Sequence, residues 1–157
     1  MIITMKEPGT RFGVRVGAII YNETYSKVLI EKKRENLYRF PGGRIDIHED
    51  SKHAIERELL EELHIKLDYK LKYILEMFVA SPNTKYHEIG FYYLCQMDEN
   101  KFKNDTQSYD GDTVFEWVAI NHLQTYPILE TPIQNKVAEN NIKDDTLEHI
   151  VYREYES

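Results

Sequence analysis

Three glutamates, Glu58, Glu61 and Glu62, crowd the stretch GRIDIHEDSKHAIERELLEELHI at residues 43–65, and clustered carboxylates are what hard divalent cations bind. Placed on a helix over residues 50–63 at roughly 100° per residue, the three fall within about a third of the circumference and share one face. Ile55, Leu59, Leu60 and Leu63 gather on the other side, so the helix is amphipathic and its apolar stripe must lie on a core. Like charges four residues apart, as in Glu58 and Glu62, cost a helix about 0.2–0.5 kcal/mol, and something cationic should offset that repulsion. Arg57 borders the acidic arc and supplies one charge; a divalent metal, with Mg²⁺ the natural candidate, would supply more. A solvated charged helix face has the same composition, so the helix alone leaves both readings open.

The elements that must position this stretch can be read in order. Residues 11–21 (RFGVRVGAIIY) are rich in branched apolar side chains, 22–26 form a turn, and 27–32 resume as a strand, which predicts a β-hairpin. A charged connection at 33–36 leads into a short aromatic run at 37–40, and Pro41-Gly42-Gly43 forces a break before a short strand at 44–47. Asp50 or Ser51 caps the helix, and His64 sits just past its end. Residues 65–79 read as one long or bent strand, 81–84 as a turn, 86–97 as a strong strand, 98–112 as a polar loop and 113–120 (TVFEWVAI) as a strand. A short turn at 121–123, a helix at 131–139 and a final strand or extended tail at 146–152 complete the chain. Strands that precede, interrupt and follow a central helix, without regular βαβ alternation, predict a mixed sheet with helices on its faces, an α/β or α+β fold. No repeat or linker divides the sequence, so one domain over residues 1–157 is expected.

Composition narrows the partners. A net charge of −7 leaves no basic excess with which to neutralise a nucleic-acid polymer or an anionic membrane. No run approaches the roughly 20 apolar residues of a membrane span. Cys95 is the only cysteine and lies in an apolar run, which rules out an intramolecular disulfide and fits a reducing cytoplasm. An acidic protein can still bind a phosphorylated small molecule when metal ions stand between them.

Gly43, five residues, Glu49, seven residues, and then Arg57-Glu58-Leu59-Leu60-Glu61-Glu62-Leu63-His64-Ile65 resemble the Nudix box of the Nudix hydrolase superfamily, of the MutT-like kind, at every charged position. One fixed position departs: His64 stands where the pattern has Gly. A helix C-terminus often needs a left-handed residue there, and His tolerates positive φ better than most non-glycine residues. Phe40-Pro41-Gly42 is similar to the family's lead-in, with Asp46 and His48 in place of the Glu and Gly often found next. The resemblance implies an α/β/α sandwich, spanning residues 11–120 by strand pattern. It also implies hydrolysis of a nucleoside diphosphate linked to another moiety, with Mg²⁺ or Mn²⁺ as cofactor. By position in the box, Glu58, Glu61 and Glu62 become metal ligands together with the backbone carbonyl of Gly43. Any one of these glutamates is then a candidate base, with Glu58 and Glu61 as catalytic residues, and Arg57 is paired with Glu49 so as to orient the glutamates. Many relatives are homodimers, so a homodimer is expected on the same ground.

Other candidates lie outside the box. Glu116 in Glu116-Trp117 resembles a pair that many members carry near the metals, which makes it a candidate fourth carboxylate. In YHEIGFYY, strand alternation turns one of His87 and Glu88 inward and the other outward, so Glu88 is a second candidate base. Arg44, Arg15 and Arg39 are candidate phosphate clamps, Arg44 best placed because it follows Gly43. Phe12, Tyr38 and Phe78 could stack on a base. The reading that follows is Mg²⁺-dependent cleavage of a phosphoanhydride bond in a nucleoside triphosphate or nucleoside diphosphate derivative. One alternative is an ADP-ribose pyrophosphatase, because Val79-Ala80-Ser81-Pro82 faintly resembles that subgroup's Ser-Pro. The other is a nucleotide-binding sensor without turnover, although such proteins usually lose box glutamates and here all are intact.

Overall fold

The computed structural model describes residues 1–34, 36–102, 106–107, 111, 113–139 and 146–155. In chain order the elements are β1 (Thr4–Glu7), β2 (Thr10–Tyr21), β3 (Lys27–Arg34), β4 (Leu37–Arg39), β5 (Gly42–Arg44), α1 (Ser51–Leu63), β6 (Lys70–Ala80), β7 (Lys85–Gln96), β8 (Thr106–Gln107), β9 (Val114–Ala119), α2 (Thr131–Ala138) and β10 (Glu148–Tyr155). The strands join one mixed sheet in the order β10-β6-β7-β2-β3-β9-β8, with β1 and β5 paired to β2, and β4 to β3. Among the described residues no helix is long and apolar enough to cross a membrane.

β2 is the spine. It runs parallel to β7 over its whole length, from Thr10 opposite Lys85 to Tyr21 opposite Gln96, and it is covered on both faces, which is why its sequence reads as an almost unbroken apolar run. Val16, Ala18 and Ile20 face α1, which lays Ile55, Leu59 and Leu63 on them beside Leu29 and Trp117. Ile19 and Tyr21 face the other way, towards Ile133 and Val137 of α2, with Ile30, Phe40 and Tyr92. The result is the expected α+β sandwich, one helix on each face of a mixed sheet. Leu60, expected in the apolar stripe of α1, is instead 57% exposed. With Ile55, Leu59 and Leu63 at four-residue spacing centred on the core, Leu60 lies about 100° away from Leu59 and falls off the edge of the stripe.

Local sequence misplaces two connections. The hairpin of β2 and β3 pairs in register only where Tyr21 meets Val28. Further back, β5 takes the edge of β2, with Arg44 opposite Arg15, Val16 opposite Gly43 and Gly17 opposite Gly42, and the Ala18 amide donates to the Pro41 carbonyl at 2.7 Å. The two strands therefore fork, and the Pro-Gly-Gly segment enters the fork as β5 rather than forming a strand at 44–47. The strand expected from residue 65 begins only at Lys70. The 98–112 loop contains a 3₁₀ turn at Glu99–Lys101 and the short β8, while residues 103–105, 108–110 and 112 lie outside those described. The tail contributes a true strand, since β10 runs parallel to β6.

Close approach, not turn geometry, explains two glycines. The ring of the buried Tyr92 lies across Gly17 and Gly90: a Cβ on Gly17 would stand 2.6 Å from its Cε1, and one on Gly90 2.6 Å from its Cε2. At the ends of α1 the capping logic of the sequence holds. Asp50 is the N-cap and its carboxylate accepts from the His53 amide at 2.9 Å. His64 closes the helix in the left-handed region at φ 53°, ψ 37°, its amide donating to the carbonyl of Leu60.

Two stability outcomes are expected in urea titrations. Gly90→Ala should lower stability by about 1–3 kcal/mol, because the added methyl must displace a ring packed on both sides. His64→Gly should raise it by about 0.5 kcal/mol. Relief of a left-handed L-residue is worth roughly 1–2 kcal/mol and is partly offset by the roughly 0.4–1 kcal/mol that glycine adds to the unfolded state's entropy.

Candidate active site

The loop between β5 and α1 is fixed from outside by the start of the chain. The Ile3 amide donates to the Ile45 carbonyl at 2.9 Å and the Ile47 amide to the Met1 carbonyl at 2.7 Å, while the Ile45 amide reaches Val14 at 3.2 Å. Within the loop, Glu49 Oε1 accepts from the Asp46 amide at 3.1 Å. Glu49 is thereby held facing α1, where Arg57 meets it in a two-pronged pair: Nε to Oε2 at 2.7 Å and Nη2 to Oε1 at 2.8 Å. The bonds from Arg57 hold the Glu49 carboxyl below the usual carboxylate range. Arg57 also donates through Nη1 to Glu58 at 3.0 Å and to Glu61 at 3.4 Å, and through Nη2 to the backbone carbonyl of Arg44 at 3.1 Å. One guanidinium thus ties the loop, the helix and β5 together.

The box glutamates occupy three different environments. The Glu61 side chain is 60% exposed and that of Glu58 13%, while Glu62 is turned in and only 7% exposed, so the face that the helical wheel made common is graded from solvent to interior. Burial pushes the Glu58 carboxyl up, against the pull of Arg57, and the neighbouring Glu61 charge adds to the rise. Glu58 lies flat on Gly43, where a Cβ would stand 2.3 Å from its Oε1; any side chain at position 43 would fill the space the carboxylate uses. Among the described residues no three Asp, Glu, His or Cys side chains converge closely enough to enclose an ion, Glu58 and Glu61 both being turned onto Arg57. The donors present, carboxylates packed against the backbone of a glycine, are the all-oxygen set that suits a hard divalent cation.

On the other face of the sheet, a cluster of buried charge underlies a cleft. Arg15 is 4% exposed; its Nη2 donates to the Phe40 carbonyl at 2.8 Å and to Glu31 at 3.3 Å. Arg39 donates through Nη2 to Glu88 at 2.8 Å and through Nε to Glu130 at 3.3 Å. Glu88 is 1% exposed and accepts as well from Arg44 Nη1 at 3.0 Å and from the Tyr86 hydroxyl. Burial pushes the Glu88 carboxyl up, but Arg39 and Arg15, followed by Tyr86 and Arg44, outweigh it, and the net effect is downward. A carboxylate so held is a poor proton acceptor, and its geometry is that of a structural counter-ion rather than a base. Glu130, at the N-cap of α2, is fully buried and also accepts from the Tyr92 hydroxyl at 3.0 Å.

Above this cluster opens a cleft of about 500 Å³ with Arg11, Arg15, Lys33, Arg39 and Arg44 in its walls and Leu37, Val79, Tyr86 and Leu129 between them. Arg15, Arg39 and Arg44 are therefore brought together, although Arg15 and Arg39 are committed to buried carboxylates and only Arg44 combines a surface position with the box. Glu116 is not gathered with the helix glutamates. Its neighbours Phe115 and Trp117 pack on the α1 side, so Glu116 faces the opposite side and accepts from the Tyr126 hydroxyl at 2.8 Å. Of the aromatic candidates, Phe12 and Phe78 both pack on His87, at centroid distances of 4.9 and 4.2 Å, and Tyr38 packs edge-on to Tyr126. Ser81 and Pro82 lie in the β6–β7 turn, where the Ser81 amide donates to the Thr84 carbonyl at 2.9 Å.

Sequence reasoning overlooked Arg11, Glu31, Lys33, Tyr92 and Glu130. For Glu31 a signal existed. A lone acid inside the apolar run of a strand covered on both faces needs a buried cation, and Arg15 inside the preceding strand is the matching signal. Glu130 had none, since its partner Arg39 is 91 positions away.

Comparison with known proteins gives this arrangement a family. The profile of the NUDIX domain family matches residues 11–140. The 8-oxo-dGTP diphosphatase of Buchnera aphidicola subsp. Acyrthosiphon pisum is 31% identical over 113 residues, which cover 71% of this chain and 85% of that protein. Among solved structures, a mutator MutT protein from Bacillus halodurans superposes with a TM-score of 0.63 at 16% identity, covering 89% of each chain. An ADP-ribose pyrophosphatase from Streptococcus suis does so with a TM-score of 0.59 at 17% identity, covering 88% of this chain and 98% of that one. These two likenesses speak for the fold, and Nudix hydrolases as a class use divalent metal ions. With the box glutamates on α1, the Arg57–Glu49 pair beside them and a family match over most of its length, the chain belongs to the NUDIX family and is a MutT-like Nudix hydrolase.

Proposed function

We propose that this hydrolase cleaves a phosphoanhydride bond in a nucleoside triphosphate or nucleoside diphosphate derivative, with Mg²⁺ or Mn²⁺ held by Glu58, Glu61 and Glu62 and by the carbonyl of Gly43. The observation that carries the reading is the position of Arg44. Its backbone carbonyl accepts from Arg57 on the acidic side, and its guanidinium lines the cationic cleft on the other. A pyrophosphate lying across the Gly43–Arg44 strand would have metal-binding carboxylates on one side and cations on the other. The name of the Buchnera relative, an 8-oxo-dGTP diphosphatase, supports a nucleotide with a phosphate chain.

A bound divalent ion supplies charge neutralisation at the phosphoryl oxygens and lowers the pKa of water. The chain's own groups do the rest. Arg57, fixed by Glu49, keeps Glu58 and Glu61 from swinging apart and so orients the donors from outside the metal shell. Glu61 is the most solvent-exposed of the three and has only a 3.4 Å contact with Arg57, so it can take a proton from the attacking water and release it to solvent. Arg44, Arg11 and Lys33 would donate to the remaining phosphate oxygens.

Purified protein with Mg²⁺ is expected to hydrolyse at least one member of a broad nucleotide panel. Glu61→Gln should be slower by about 10²–10⁴-fold, and Glu62→Gln nearly inactive; wild-type rates in both would sink the assignment of the acidic cluster. Independently of turnover, millimolar Mg²⁺ should raise the melting temperature by a few degrees, because an ion bound only by the native state stabilises it. The Glu58→Gln/Glu62→Gln double variant should lose that rise, and an equal rise in the double variant would place the ion elsewhere.

A further inference from the structure

Resting on the proposed phosphoanhydride hydrolysis, we infer that the cleft selects its substrate by the charge of the phosphate chain and is nearly indifferent to the nucleobase. The first ground is electrostatic. Five cations, Arg11, Arg15, Lys33, Arg39 and Arg44, line or floor a cleft whose only carboxylate partners among the described residues are Glu31, Glu88 and Glu130. Two positive charges remain in surplus, in a chain whose net charge is −7. Arg15 and Arg39 absorb most of the buried negative charge, which leaves Arg11, Lys33 and Arg44 as the groups that can exchange partners with a ligand.

The second ground is the shortage of groups that could read the edge of a base. Discrimination among bases needs donors and acceptors aimed at ring nitrogens and exocyclic groups, and the cations that could serve as donors are engaged by the phosphate chain and by Glu31, Glu88 and Glu130. Between the cations the walls offer Leu37, Val79 and Leu129, and the one neutral polar side chain among the described lining residues, Tyr86, already donates to Glu88 and accepts from Arg44 at 3.3 Å. Much of the wall backbone is paired as well. The Leu129 amide donates to Tyr38 at 3.1 Å and its carbonyl accepts from Thr131 at 2.9 Å. Val79, Tyr86 and Arg11 are paired within the sheet. Lys33, at the irregularity of β3 between Lys32 and Arg34, is the one described lining residue outside these pairings, and its side chain is a cation. An apolar wall grips any base by contact area and separates close analogues by no more than about 10²-fold, whereas a hydrogen-bonding wall separates them by about 10⁴–10⁵-fold.

The test is kcat/KM with Mg²⁺ for ATP, GTP, CTP, UTP and 8-oxo-dGTP, each against its diphosphate. The expected spread among bases is within about 10²-fold, with a consistent loss on removal of one phosphate. Lys33→Ala and Arg11→Ala should each raise KM about tenfold, as for loss of a charge-assisted hydrogen bond, with kcat within about twofold and the ranking of bases unchanged. A preference for one base above about 10³-fold, or a variant that changes the ranking, overturns the inference while leaving the hydrolase assignment intact. If no nucleotide is turned over, the proposed reaction fails, and calorimetric binding of the non-hydrolysable β,γ-methylene analogues of ATP and GTP decides the inference. Similar affinities, weakened by Lys33→Ala, sustain it; unequal or absent binding overturns it.

Discussion

A charge taken out of water must be paired, and in this protein that constraint acts on six side chains at once. Arg15, Arg39 and Arg44 meet Glu31, Glu88 and Glu130 where β2, β3, β4, β5, β7 and the start of α2 come together. Removing one member of such a group typically costs about 3–5 kcal/mol, because the partner left behind is buried and uncompensated. Each of these pairs therefore fixes the relative position of two segments. Glu130 sets where α2 begins relative to β2 and β4, and through Tyr92 it is also linked to the packing over Gly17 and Gly90. The fork between β2 and β3 follows from the same demand: Arg15 reaches Glu31 and the Phe40 carbonyl across the space that β4 and β5 enter.

The acidic helix face and the cationic cleft are separate constructions on opposite faces of the sheet, joined by a single dipeptide. Gly43 has no side chain, so Glu58 can lie on it. Arg44 gives its carbonyl to one half and its guanidinium to the other. Net charge hides this division, since the chain as a whole is acidic and the cleft is locally the reverse.

What could be read in the sequence is what is encoded locally. The capping of α1 by Asp50, the left-handed His64 and the proximity of Glu49 and Arg57 each depend on residues within about one to two helical turns of the box, where spacing determines geometry. Leu60 shows the limit even here, since an apolar residue at the margin of a stripe can go either way. Pairings across the sheet were not legible, because they depend on which strands become neighbours. Arg15 finds Glu31 at a separation of 16 residues, but Arg39 finds Glu88 at 49 and Glu130 at 91. The alternation that put one of His87 and Glu88 inside could not name the cations waiting for Glu88. Glu116, read from its neighbour Trp117, faces Tyr126 because the residues on either side of it belong to the α1 core.

The parallel pairing of β2 with β7 bears on how the molecule comes into being. Thr10 lies opposite Lys85 and Tyr21 opposite Gln96, so each residue of the central strand waits for a partner 75 positions downstream. During synthesis the helix with its glutamates emerges well before β7 can dock on β2, and Glu130 follows later still. Contacts of such sequence separation are slow to form, and until they form, α1 has only a partial sheet to bury its stripe on. The hydrolase should thus acquire its acidic helix early and its cationic cleft last, so that a nascent or truncated chain would present carboxylates with no cationic groove beside them.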